Sequence, residues 1–191
     1  QASNQDGSQD PDDGQGHGTH VAGIALGTGD SSRVHIGAAP GAFLVDIKVL
    51  TDSGGTNSQN SLNGIQWMIN NKDTDWGNGA KGIQIGQMSF GSIGNPIAQD
   101  NGDNGTGAEA RLVNNATYDH DISCVVAAGN DGMRRIASPG SADGAITIGS
   151  ADNADSINRT DDFMASYSNT GPRESDNDDD DWDELKPDIT A

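Results

Sequence analysis

The stretch GQGHGTHVAGIALG, from Gly14 to Gly27, sets His17 between glycines and follows it with a second histidine, His20. Histidine titrates near neutral pH and can take a proton from a nucleophile if its line to the reacting atom is clear. Flanking glycines keep that line clear by letting backbone and substrate approach closely. Two other stretches end an apolar run on small or polar residues: MSFGS, Met88 to Ser92, and VVAAGNDG, Val125 to Gly132, which contains Asn130. Taken singly, each also fits a plainer role. His17 can be an ordinary helix-start histidine, Asn130 part of a turn-forming Asn-Asp-Gly, and Ser89 to Gly91 a strand end. A zinc site on His17 and His20 lacks the glutamate that the His-Glu-x-x-His pattern requires.

These stretches need elements to hold them. Val21, Ile24 and Ala25 recur at helical spacing after His17, and Gly27 with Gly29 ends the run, which predicts a short helix starting near His17. AFLVDIKVL, from Ala42 to Leu50, reads as a buried strand and DSGGTNS as a loop. SLNGIQWMINNK reads as a helix with Leu62, Ile65, Met68 and Ile69 on one face. The order then repeats, with GIQIGQMSF as strand, a glycine-rich loop through Gly107, AEARLVNNATYDH as helix and ISCVVAAGN as strand. GAITIGS and FMASYSN read as further strands towards one edge, and no internal repeat is visible. Alternation of this kind predicts an α/β fold, a mainly parallel sheet with helices on its faces. Ligands bind such sheets at the carboxyl ends of the strands, where MSFGS and AAGNDG leave theirs. A chain of 191 residues can bury one substantial core, and a second full domain is not expected.

The three stretches, in this order and closed by KPDITA from Lys186 to Ala191, resemble the subtilisin-like serine peptidases, the subtilases. The resemblance covers about Asp13 to Ala191. It implies the three-layer subtilisin-like fold, with 1–191 as a partial catalytic domain in which 1–16 is an acidic loop and 174–184 an acidic insertion. It implies His17 as general base, with His20, one helical turn on, as a packing residue. It implies Asn130 as the oxyanion-hole donor, since an amide stabilises the developing oxyanion without bringing a charge of its own. The substrate peptide would add as a strand between Gly54, Gly55 and Thr56 on one side and Ser89, Phe90 and Gly91 on the other. Ala127, Ala128, Gly129 and Gly140 would line a roomy, apolar pocket for the residue before the scissile bond. No cofactor is implied for catalysis, and secretion is implied, with any signal segment upstream.

The departures matter equally. The subtilase order is Asp, then His, then Ser. The Asp-Ser/Thr-Gly motif belongs ahead of His17, and the Asp-Ser-Gly at Asp52 follows the histidine and matches the binding loop instead. Neither Gly-Thr-Ser-Met-Ala nor Gly-x-Ser-x-Gly occurs in these residues. The start on Gln1 reads as a cut boundary. The expectation is a central part of a serine endopeptidase, practically inert by itself and completed by Asp- and Ser-bearing segments of the same protease. The contrasting readings are a non-catalytic peptide-binding module and an acidic, calcium-dependent structural domain.

Acidic residues number 29 against 10 basic ones, a net charge of −19. Binding to a phosphate backbone is therefore unfavourable over most of the surface, and nucleic acid is not an expected partner. The carboxylates serve either a solvated, halophilic surface or hard cations such as calcium. The clusters Asp6 to Gly14 and Asp176 to Glu184 have the close spacing of a calcium site without EF-hand spacing, and structural calcium stays open. No apolar run approaches the roughly 20 residues of a membrane span. Cys124, the one cysteine, lies inside ISCVVAA and reads as a buried structural thiol.

Overall fold

The apolar runs of the second half of the chain become a parallel sheet, as their β-branched composition predicts. A computed structural model describes residues 12–55, 57–92, 103–179, 181–182 and 184–191, and the chain divides into two compact units, Gln1–Ile83 and Gln84–Ala191. In the second unit β1 (Ile85–Met88), β2 (Ser123–Ala127), β3 (Ala145–Gly149) and β6 (Ile189–Thr190) form one sheet in the order β1-β2-β3-β6. All three pairings are parallel, with Met88 opposite Val126, Val126 opposite Thr147, and Ile148 opposite Ile189. The strand read in FMASYSN shortens to β5 (Phe163–Met164), paired antiparallel with β4 (Ala151–Asp152).

Helix α3 (Ala108–Tyr118) covers β2 and β3 with Ala110, Val113 and Ala116, each fully buried. Small side chains at i, i+3 and i+6 let the helix approach the sheet closely. Asn114 and Thr117 fix its end. Asn114 Oδ1 accepts the Gly144 N–H at 2.8 Å, and the Thr117 hydroxyl donates to the Gly144 carbonyl at 2.9 Å. Ile122, Cys124, Val126 and Ile136 are all within 1% of complete burial. Removing one such aliphatic side chain from water contributes about 1.5–3 kcal/mol. Arg173, also fully buried, donates to the Asn104 carbonyl and to the carboxylates of Asp143, at 2.9 Å, and Asp176, at 3.4 Å.

The first unit is built differently. Its larger helix α2 (Ser58–Asn70) starts where the Asn57 side chain accepts the Asn60 N–H at 2.9 Å, a regular N-cap. Ile65, Met68 and Ile69 are buried as the spacing predicts, Leu62 is half-buried, and Ser61 and Gly64 join the buried face. The segment 42–50 is not a strand, contrary to its β-branched composition. A strand needs a neighbouring ladder, and the described residues of this unit offer only two isolated bridges, Thr28 with Ile36 and Asp75 with Lys81. The segment instead lays Ile47 and Val49 against Gly64, while Phe43 and Leu44 stay exposed.

Helix α1 (His17–Leu26) has the predicted start but no buried residue; Ile24 is 63% exposed. His20 is exposed as well, so it is not the packing residue expected. Backbone hydrogen bonds hold this helix at its far end, where Gly27, Ala38 and Ala39 donate to the carbonyls of Gly23, Ile24 and Ala25. No helix of the described residues is long and apolar enough to cross a membrane.

Candidate active site

His17 is the first residue of α1, and the loop before it is organised by Asp13. One carboxylate oxygen accepts the Gly16 N–H at 2.8 Å and the Gln15 N–H at 3.3 Å. The other accepts the N–H and the hydroxyl of Thr19, both at 2.7 Å. The Thr19 bonds, then the Gly16 N–H, hold the Asp13 carboxyl far below the usual carboxylate range. Gly16, the residue at the N-cap position, has φ of +92°, a conformation that favours glycine, so the chain turns sharply just before His17. Asp13 thus supplies the cap that Gly16 lacks, and its charge lies at the positive end of the helix.

The Gly54–Gly55 segment belongs to the same neighbourhood. Thr51 N–H donates to the Gly55 carbonyl at 2.7 Å and Gly54 N–H to the Thr51 carbonyl at 2.8 Å, closing a tight turn. Lys48 joins this turn to the loop before His17. Its ammonium donates to the Asp12 carbonyl at 2.6 Å and pairs with the Asp52 carboxylate, which raises the Lys48 pKa above its ordinary value. Gly14 packs onto Asp52 so closely that a Cβ there would sit 2.5 Å from its carboxyl carbon. The first unit therefore brings His17 and the Gly54–Gly55 turn into one cluster. Asp52 is bound to a lysine within it. Thr56 falls outside the described residues.

In the second unit the predicted residues gather at the carboxyl edge of the sheet. Ser89, Phe90 and Gly91 follow β1, and Ala127 to Asn130 end and follow β2, which is paired beside it. Ser92 and Ser138 exchange backbone hydrogen bonds at 2.8 and 2.9 Å, and Gly91 lies against Ala137 and the Ser138 carbonyl. That bridge brings residues 137–140 to the end of β1. Gly140 is buried with its Cα against the Ala127 carbonyl, where a Cβ would sit 2.8 Å away. The predicted pocket residues are thus neighbours: Ala128 is 1% exposed, Ala127 and Gly129 are half-buried, and Asn130 is exposed at the rim.

The loop that displays Asn130 is stitched to residues 167–170. Gly132 N–H donates to the Tyr167 carbonyl at 2.8 Å, Asn169 N–H to the Gly129 carbonyl at 2.9 Å, and Thr170 N–H to the Met133 carbonyl at 3.0 Å. The Asn169 side chain, fully buried, accepts the Asp131 N–H at 2.8 Å and donates to the Ala128 carbonyl at 3.4 Å. Asp13, Lys48 and Asn169 were not singled out by sequence reasoning. Asp13, four residues before His17 and six before Thr19, carried a signal as an acceptor placed ahead of a helix start. Asn169, in SYSNTG, carried none. Among the described residues no group of three or more His, Cys, Asp or Glu is placed to hold a metal ion, and residues 6–11, 180 and 183 of the acidic clusters fall outside them.

Comparison with known proteins gives the family of the chain. The model of the subtilase family (peptidase S8) matches residues 1–191. Serine protease AprX of Bacillus subtilis (strain 168) is 35% identical over 186 residues, covering 95% of this chain and 38% of AprX. Subtilisin Savinase of Lederbergia lenta is 31% identical over 146 residues, 76% of this chain and 46% of its own. Among solved structures, Sphericase superposes with a TM-score of 0.61 at 34% identity, covering 81% of this chain and 45% of that one. The S41 psychrophilic protease also gives 0.61, at 28% identity, covering 83% and 46%. The chain thus spans less than half the length of these relatives. With its mainly parallel sheet, its α/β architecture and a family match along its whole length, the chain belongs to the subtilases.

Proposed function

We propose that this chain is the histidine- and oxyanion-bearing part of a serine endopeptidase, acting on polypeptides together with Asp- and Ser-bearing segments of the same protease. One observation carries the reading. The exposed Asn130, the Ser89 to Gly91 strand exit and the small-residue floor of Ala127, Ala128 and Gly140 meet at one edge of one sheet. A peptide main chain in this reading adds as a strand beside the Ser89 to Gly91 segment, which sets its carbonyl near the Asn130 amide. In this reading His17 takes the proton of the serine hydroxyl as it attacks the carbonyl carbon, then returns that proton to the leaving amine. Asn130 donates to the oxygen that becomes negative in the tetrahedral intermediate. Gly54 and Gly55, in the turn beside the His17 loop, are peptide-binding residues in the same reading. Secretion and a surface suited to high salt belong to the same proposal, with structural calcium as the alternative use of the carboxylates. Support for the peptide-substrate reading comes from the relatives named as proteases and subtilisins.

The test uses the full-length protein that carries this chain, with a serine-directed phosphonate and unfolded casein. His17→Ala abolishes labelling and cleavage. Asn130→Ala lowers kcat by about 10²–10³ with KM nearly unchanged, because its amide acts on the developing oxyanion. The 191-residue chain alone neither labels nor cleaves in this reading, since its sequence holds neither Gly-Thr-Ser-Met-Ala nor Gly-x-Ser-x-Gly to supply the nucleophile. A full-length protein that binds peptide but never labels belongs to the non-catalytic peptide-binding class. A rise in KM alone for Asn130→Ala removes the oxyanion assignment.

A further inference from the structure

We propose that Asn169 is the positioning residue that aims the Asn130 amide. This inference rests on the oxyanion reading of Asn130. Asn169 is 0% exposed, and burying an amide is costly unless its hydrogen bonds are made. Here they are made to the two flanks of Asn130. On the far side Asn169 Oδ1 accepts the N–H of Asp131 at 2.8 Å and of Met133 at 3.4 Å. On the near side Nδ2 donates to the Ala128 carbonyl at 3.4 Å, and the Asn169 N–H donates to the Gly129 carbonyl at 2.9 Å. Nδ2 also reaches the Asp131 carboxylate at 3.4 Å.

The loop is bound on both sides of a single residue, and that residue is Asn130. Gly129 completes the fit. Its φ is +115°, and a Cβ on it would lie 2.3 Å from Asn169 Nδ2, so the buried amide occupies the space that a side chain would need. An oxyanion donor acts only when its N–H points at the place the oxygen will occupy, and a misplacement of about 1 Å costs roughly 10²-fold in rate. Asn169 touches neither substrate nor reacting atoms in this arrangement. It fixes the direction from which Asn130 reaches them.

A double-mutant cycle on kcat in the full-length protein separates aiming from bulk stability. Asn169→Ala is expected to lower kcat about 10- to 100-fold with KM little changed, and to lower it no further in an Asn130→Ala background. Asn169→Asp keeps the acceptor for the Asp131 and Met133 N–H groups. It is expected to retain more turnover than Asn169→Ala and supplies the same cycle if the alanine variant does not fold. An equal penalty with and without Asn130, or a rise in KM alone, overturns the inference while leaving Asn130 as the donor. An Asn130→Ala protein with unchanged kcat overturns the oxyanion reading and this inference with it.

Discussion

Helix α1, which carries His17, buries none of its ten residues, whereas α3 buries Ala110, Val113 and Ala116 completely. The first helix is fixed by hydrogen bonds at its two ends, from Asp13 at the start and from Ala38 and Ala39 at the finish. The second is fixed by apolar packing on a parallel sheet. Two ways of holding a helix thus coexist in one chain. Packing resists opening through the cooperative core, while end-capping resists it bond by bond. The helix that carries His17 should therefore answer to pH and to single polar substitutions, and the sheet packed under α3 to cavities.

The largest expected effect breaks the packed region. Ile122→Ala, at a fully buried site under α3, should cost about 2–5 kcal/mol in chemical denaturation. Ile24→Ala, on a side chain 63% exposed, should stay within about 0.5 kcal/mol. Equal costs would erase the contrast between the two helices.

A smaller, local effect concerns Asp13. Asp13→Ala should leave the sheet intact and speed amide hydrogen exchange at Gly16 and Thr19 several-fold. The pH dependence has a definite sign. The folded state holds this carboxyl well below its ordinary value of 3.8, so the unfolded chain binds the proton more tightly. Its stabilising contribution is complete above the ordinary value and is lost as pH falls from there towards the depressed one. Wild-type exchange at Gly16 and Thr19 that stays unaltered down that range would show that the cap does not depend on charge.

Salt should have the smallest effect, and it too should divide the regions. Twenty of the 29 acidic residues but six of the ten basic ones lie in 84–191. Raising sodium chloride shortens the Debye length from about 30 Å at 0.01 M to about 3 Å at 1 M. Protection of amides in 84–191 should therefore rise more than in 1–83. A flat response in both would remove the high-salt reading of the surface, and a rise with calcium alone would favour carboxylate metal sites.

The parts of the fold legible in the sequence are those where pattern and packing coincide. GIQIGQMSF, ISCVVAAGN and GAITIGS became β1, β2 and β3 because each run is β-branched and finds a neighbouring strand. AFLVDIKVL has the same composition and forms no strand, since composition cannot supply a ladder partner. The two-residue β6 within KPDITA was too short for any periodicity to reveal. At the site, motif residues such as His17, Asn130 and Gly140 announce themselves by unusual company. Lys48 and Asn169 do not, because their meaning lies in contacts across 36 and 38 positions of sequence, to Asp12 and Asp131.

Cys124 gives the molecule a chemical clock. It lies in β2 between Gly86 of β1 and Ala145 of β3, fully buried, and burial pushes its thiol pKa up. A thiol reagent attacks the thiolate, so the closed sheet is doubly shielded, by access and by ionisation. Modification must wait for β2 to become exposed to solvent. Since this is the only sulfhydryl in the chain, the rate of its disappearance counts the openings of the strand that leads to Asn130.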